Sequence, residues 1–257
     1  MPGMFDLGNG RRPKLRYYIA DLHFFHEALN DRMDHRGFAG VEEMNEYMIQ
    51  KWNGKVRKKD DVVILGDFSW GTAGQTNEIL DRLNGKLYLI LGNHDRFTSK
   101  SETKLSRFQW IRPYAELSDN NRKVILCHYP ILCYNGQYRL DRNGNPRSYM
   151  LHGHVHDTRD QRLLEQFQEI MQSTVTKNQR GEEQHIPCNM INCFCMYSDY
   201  EPLTLDEWIE CDRRRREGRA LDGGNAESST GNECEGRMVE GNAVDGDFRG
   251  IAEVDAF

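Results

Sequence analysis

Apolar residues in this chain come in short runs. Residues 15–20, 61–65, 87–91, 124–126 and 149–151 are nearly continuous apolar stretches, β-branched or aromatic in part and interrupted by glycine. Runs of this length predict short, largely buried strands. Between them the period lengthens. Met44, Met48, Ile49 and Trp52 recur at helical spacing over 41–52, and Ile79, Leu80 and Leu83 do so over 75–83, where Asn84-Gly85 stops the pattern. A third amphipathic stretch, 162–171, carries Leu163, Leu164, Phe167, Ile170 and Met171. Strands alternating with helices predict a layered α/β domain.

The polar residues that end the apolar runs are of one chemical kind. Asp21-Leu22-His23, Gly66-Asp67, Gly92-Asn93-His94-Asp95, Cys127-His128 and His152-Gly153-His154-Val155-His156 each follow a predicted strand. In open α/β sheets the carboxyl edge of the strands is where ligands bind. Asp, Asn and His are the donors a divalent cation takes when no thiolate is offered, and neutral imidazole suits iron-, zinc- and manganese-class ions. Any one block alone reads as turn or helix-cap chemistry. Five in series do not, and seven candidate ligands exceed one tetrahedral site. They suit two cations sharing a carboxylate, an arrangement that activates a water and clamps a phosphoryl group. In Asp21-x-His23 and His154-x-His156 an extended chain would turn both side chains to one side. Gly66, Gly92 and Gly153 fit sharp turns that a Cβ would obstruct.

The ordered series D-x-H, G-D, G-N-H-D, H, G-H-x-H resembles the calcineurin-like metallophosphoesterase superfamily over residues 17–156. The likeness resumes at 189, where 189–192 and 202–208 are similar to that family's closing strand and following helix. The resemblance implies a four-layer α/β/β/α sandwich of two mixed sheets flanked by helices. Carried over residue by residue, it implies a first cation on Asp21, His23, Asp67 and His156, and a second on Asp67, Asn93, His128 and His154. Asp67 would bridge the two, and His94 would stand beside the leaving oxygen as a catalytic cation or acid. Manganese leads among the implied metals, with iron, zinc and nickel as alternatives. His26, in a D-x-H-F-x-H variant of small family members, is a candidate for substrate phosphate or an ordinary loop residue. Arg96 is a candidate phosphate contact or a surface salt bridge.

Phosphate esters resist attack because their oxygens are anionic, and uncatalysed monoester hydrolysis is among the slowest reactions enzymes accelerate. Two cations neutralise that charge and make a nucleophilic water available near neutral pH. A positioned acid at the leaving group contributes about 10²–10⁴-fold. The implied function is therefore a dimetal hydrolase of a phosphodiester or phosphomonoester, with a phosphorylated small molecule of nucleotide-like character as substrate. The signatures G-D-x-x-D-R-G and G-N-H-E of serine/threonine phosphatases are replaced here by 66–71 and 92–95, which points away from protein phosphatases. The alternatives are a metal-dependent nuclease and a catalytically idle scaffold.

Composition adjusts this picture at its edges. The formal net charge of −6 over 257 residues offers no global attraction to nucleic acid or to an anionic membrane. No apolar run approaches the ~20 residues that span a bilayer, and the first residues lack the apolar core of a secretory signal, so a cytoplasmic location is expected. Seven cysteines without a C-x-x-C pair suit a reducing compartment. Cys127 reads as packing behind His128, with a nucleophilic thiol in reserve, and Cys193-Phe194-Cys195 as buried strand. His152 reads as packing, and His35 and His185 as ordinary residues. The catalytic domain is expected over 1–211. Residues 157–188 form an insertion within it, a lid or an inert excursion whose polar part, 174–184, is mobile. Residues 212–257 read as a disordered tail, with Arg213–Arg216 a solvated helix end.

Overall fold

The structure, a computed structural model, describes residues 12–177 and 180–223. Four parallel strands build a first sheet in the order β1 (Arg16–Ile19), β2 (Asp61–Ile64), β3 (Lys86–Ile90) and β4 (Phe108–Arg112). The second sheet takes β5 (Tyr114–Asp119), β6 (Arg122–Cys127), β7 (Ser148–His152) and β10 (Met190–Asn192) in the order β10-β7-β6-β5. There β5 runs antiparallel to β6, and the other pairings are parallel. One sheet is thus purely parallel and one mixed, a distinction that the expectation of two mixed sheets did not draw. A two-stranded ribbon, β8 (Val175–Lys177) and β9 (Glu183–His185), stands apart.

Each strand divides its side chains between two layers because successive residues point to opposite faces. On the first sheet, Tyr17, Ile19, Val62, Ile64, Leu87 and Leu89 join one buried cluster with Met44, Met48, Ile49 and Trp52 of α1 (Val41–Lys55) and Ile79 and Leu80 of α2 (Ala73–Arg82). Their neighbours Tyr18, Ala20, Val63, Leu65 and Ile90 turn the other way and meet Val124, Leu126, Tyr149, Leu151 and Ile191 of the second sheet. The helix α4 (Leu205–Gly223) adds Leu205 and Trp208 to that inner core, and the Trp208 indole donates to the Tyr18 carbonyl at 2.8 Å. Thr72 caps α2 with a reciprocal box through Gln75, which satisfies donors the first turn leaves open. Trp52, fully buried, is the largest side chain at the α1 interface; deleting such a side chain costs about 3–5 kcal/mol.

The structure adds detail to three expectations. The stretch 157–188 is not a detachable excursion, because α3 (Arg159–Ser173) supplies the fourth layer: Leu164, Phe167 and Met171 cover Ile125, Met150 and Met190 on the outer face of the second sheet. The amphipathic stripe showed that a helix was there; nothing in it named the sheet it would cover. The polar part expected to be mobile carries the ribbon of β8 and β9, whose register pairs Val175 with His185. Finally, α4 runs through residue 212 to Gly223, and Arg215 pairs with Glu165 of α3 and with Asp212. Intrahelical and interhelical ion pairs keep this arginine run helical beyond the expected boundary. The remainder of the expected tail, with Cys234, lies outside the described residues.

Candidate metal centre

All seven candidate ligands meet at the carboxyl edge of the two sheets. Asp21, His23, Asp67 and His128 are almost wholly buried. The loops after β1 and β2 are laced together: Asp21 N–H donates to Gly66 O, and His23 N–H donates to Asp67 O. The Asp95 carboxylate then accepts from the N–H groups of Asp67, Phe68 and Gly92 at 2.7–3.0 Å, which fastens the loop after β3 to the loop after β2. Burial raises the Asp95 carboxyl to about 6 despite these three donors. Asp95 holds backbone, not metal, and that explains why the fourth residue of the G-N-H-D block is acidic.

The extended geometry expected for Asp21-x-His23 and His154-x-His156 does not form. Asp21, His23, Asp67, His154 and His156 all have left-handed backbones, with φ between 45° and 71°. Such conformations cost about 1–3 kcal/mol each and persist where the surroundings over-determine them. The glycines make that crowding possible. A Cβ on Gly92 would lie 2.2 Å from Asp67 Oδ1, one on Gly153 would lie 2.5 Å from Asp21 Oδ2, and one on Gly66 would lie 2.3 Å from His128 Nδ1. Each glycine leaves room for a ligand.

Asp67 sits at the centre. Its Oδ2 is 3.4 Å from both His23 Nε2 and His128 Nε2, while its Oδ1 accepts from His94 N–H at 2.8 Å. Asn93 Oδ1 lies 3.0 Å from both His128 Nε2 and His154 Nδ1. Asp21 Oδ1 lies 3.8 Å from His156 Nε2, and both Asp21 oxygens accept from His154 N–H. Asp21, His23 and His156 form one compact group with donor atoms within 4.8 Å, and Asp21, Asp67 and His128 another. In the second group the contact from Asp21 reaches His128 Nδ1 at 3.9 Å. That nitrogen is bonded to Leu65 O at 2.8 Å, so only Nε2 is free to ligate, and Nε2 faces Asp67 and Asn93.

The donor set fits a pair of divalent cations. Both ring nitrogens of His23 are buried without a hydrogen-bond partner, an arrangement that a cation relieves. His156 is oriented from behind: its Nδ1 is 2.7 Å from Asp34 Oδ1, and Asp34 is in turn held by Arg36 at 2.9 Å. Arg36 also donates to the carbonyls of Asp21 and Leu22, and Cys195 Sγ donates to Asp21 O. A carboxylate behind a ligating imidazole fixes the ring and raises its basicity.

Without cations, protons take up the charge. Burial alone would lower His128, but its hydrogen bond to Asp67 and the charges of Asp21 and Asp67 outweigh it and raise the imidazole to about 9. Burial would raise Asp67, yet the His128 hydrogen bond, the charges of His128 and His23 and the His94 N–H bring it to about 2. His156 is raised by Asp34 and Asp21 against burial. His23 is pushed well below the usual histidine range by burial, which exceeds the pull of Asp67.

His94, His26 and Arg96 border this cradle without belonging to the ligand set. The His94 and His26 rings lie 5.5 Å and 5.4 Å from His23. Arg96 is exposed and makes no ion pair among the described residues, so the surface salt bridge expected as its alternative does not form there. His152 is buried behind the site, its Nδ1 3.0 Å from Gly153 O, and burial lowers it to about 4. Cys127 is partly buried against the outer core of the second sheet, as the packing reading expects, and burial raises its thiol. Asp34, Arg36, Trp70 and Tyr129, whose ring lies 4.5 Å from that of His154, were not found by sequence reasoning. The first two lie in a polar stretch without a motif. Trp70 and Tyr129 adjoin motifs but have no residue type of their own to flag them.

The chain is similar to several known proteins over part of its length. An uncharacterized protein of Methanocaldococcus jannaschii is 35% identical over 142 residues, spanning 54% of this chain and 68% of its own length. The gene 66 protein of Mycobacterium phage L5 is 33% identical over 165 residues, spanning 54% of this chain and 76% of its own. A protein of unknown function from Aquifex aeolicus has a similar fold, with TM-score 0.51 at 22% identity, covering 81% of this chain and 100% of its own. The model of the calcineurin-like phosphoesterase family matches residues 17–201, a span that holds all five strand ends carrying candidate ligands, and this chain belongs to that family.

Proposed function

We propose that this chain is a dimetal phosphoesterase that hydrolyses a small, nucleotide-like phosphodiester or phosphomonoester. One observation carries the reading: a single oxygen of Asp67 stands at equal distance from His23 and His128, one from each expected ligand set. Two divalent cations held there would supply charge neutralisation and a nucleophilic water at neutral pH. Oxygen and imidazole donors without thiolate suit manganese first, with iron, zinc or nickel as alternatives. His94, outside the candidate ligand set, would serve the leaving oxygen as its acid. The exposed Arg96 guanidinium is free to meet a phosphate oxygen.

A net charge of −6 weighs against a nuclease, which needs a basic track along its substrate. The complete ligand set weighs against an idle scaffold. No helix among the described residues is long and apolar enough to cross a membrane, and the six described cysteines are free, which fits a reducing cytoplasm. The test is hydrolysis of an aryl phosphodiester and an aryl phosphomonoester by protein loaded in turn with each metal. Turnover that a chelator abolishes and metal restores is the expected result. Two bound cations with no turnover on either ester would favour the scaffold.

A further inference from the structure

His26, His94 and Arg96, the three side chains expected near substrate without holding metal, converge on one ring. His26 lies parallel to Trp70, 4.4 Å between centroids and 7° between planes. His94 tilts against the same indole at 4.8 Å, and the Arg96 guanidinium carbon lies 6.0 Å from its centroid. The backbone beneath Trp70 is fixed: its N–H donates to Phe24 O at 2.9 Å, and Phe24 bridges Ser69. The Ser69 hydroxyl pairs with that of Thr76 at 2.8 Å and accepts from Gly71 N–H. A Cβ on Gly71 would fall 2.8 Å from the Phe25 ring, so glycine there lets this turn press against the loop that carries His26. His26 and His94 each keep a buried Nδ1 with no hydrogen-bond partner, so that side of neither imidazole is oriented by a polar contact. Imidazole χ2 has a broad, nearly two-fold preference, and ring packing must then set it.

We propose that Trp70 is the positioning residue of the leaving-group side, its indole fixing the direction of His94 while it seats His26 and Arg96 on the same arc. The proposal rests on the role given to His94 above. A misplacement of about 1 Å in a catalytic geometry costs about 10²-fold in rate, so a wall that aligns the acid acts on kcat without touching the substrate.

The test compares Trp70→Ala and Trp70→Phe, each alone and combined with His94→Ala. It reads metal content, kcat and KM on an alkyl and a nitrophenyl phosphoester, and the mobility of the His94 ring by side-chain relaxation in metal-free protein. Trp70→Ala is expected to bind metal normally, free the His94 ring, and lose about 10–10²-fold in kcat on the alkyl ester with little change in KM. Trp70→Phe, which keeps a ring, should recover most of that loss. Because Trp70 acts through His94, the double variant should be within about twofold of His94→Ala alone. Multiplying losses in the double variant, a loss confined to KM, or an unimpaired Trp70→Ala beside an impaired His94→Ala would overturn the proposal. Full activity of His94→Ala on the alkyl ester would instead remove the leaving-group reading itself, and the proposal with it.

Discussion

The ligand edge and the α3 face lie beside one another in the second sheet, yet they use their residues in opposite ways. At the edge, five candidate ligand positions hold left-handed backbones and the side chains of Asp21, Asp67 and His128 are buried and cross-tied. On α3, Leu164, Phe167 and Met171 pack inward while Leu163 and Ile170 stay 51% and 64% exposed. The two regions meet at Asn192, whose side chain donates to His156 O and to Gln161 of α3. Strain and buried charge are concentrated where chemistry requires them, and the supporting layer tolerates looseness. Substitutions should therefore have sharply unequal effects across this boundary.

The largest effect is expected at Asp67. Asp67→Asn removes the one anionic donor assigned to both cations, so metal content and hydrolysis should fall together and further than on replacing any terminal ligand. Two retained cations with near-normal turnover would mean that Asp67 does not bridge. His94→Ala should come next, losing about 10²–10⁴-fold in kcat while keeping its metal, the span for removing a general acid. An alkoxide leaving group needs the proton more than a nitrophenolate does. Kinetics on both ester types should show the alkyl ester harmed more; equal losses would point to electrostatic stabilisation of the phosphoryl oxygens instead.

What the sequence disclosed follows the same division. Coordination restricts residue type, so the candidate ligands Asp21, His23, Asp67, Asn93, His128, His154 and His156 could be read one by one, and the structure brings them together. The strand cores were legible from their apolar runs. Strands β4 and β5 were not, because Gln109, Arg112, Glu116 and Ser118 interrupt any run and much of each strand is exposed. The left-handed backbones at Asp21 and His23 were also hidden, since aspartate and histidine carry no marker of the kind glycine does. Asp34 and Arg36 act through other groups, and such residues are chosen by tertiary contact rather than by a motif.

Those supporting residues give effects of intermediate size. Asp34→Asn weakens the anionic partner of His156 Nδ1 and should lower metal affinity about 10–100-fold, the usual range for a carboxylate behind a ligating histidine. A metal titration showing unchanged affinity would detach Asp34 from the centre. On the far side of the boundary, Ile170→Ser on the exposed face of α3 should change stability by no more than about 0.5 kcal/mol and leave hydrolysis intact. A large drop in melting temperature there would show that this face has a partner.

The central claim is that this edge is built for two cations sharing Asp67, and calorimetric metal titration in buffers of different ionisation enthalpy tests it most directly. His128 is raised to about 9 in the metal-free protein, above its unfolded value of about 6.5. Its pairing with Asp67 thus stabilises the metal-free fold fully below about 6.5 and is lost as pH rises through about 9. A cation taking Nε2 must displace that proton. At pH 7 the account predicts uptake of about two cations per chain with release of about one proton from His128, and affinity that strengthens as pH rises toward 9. Uptake of a single cation with no proton released, and an affinity indifferent to pH, would contradict it.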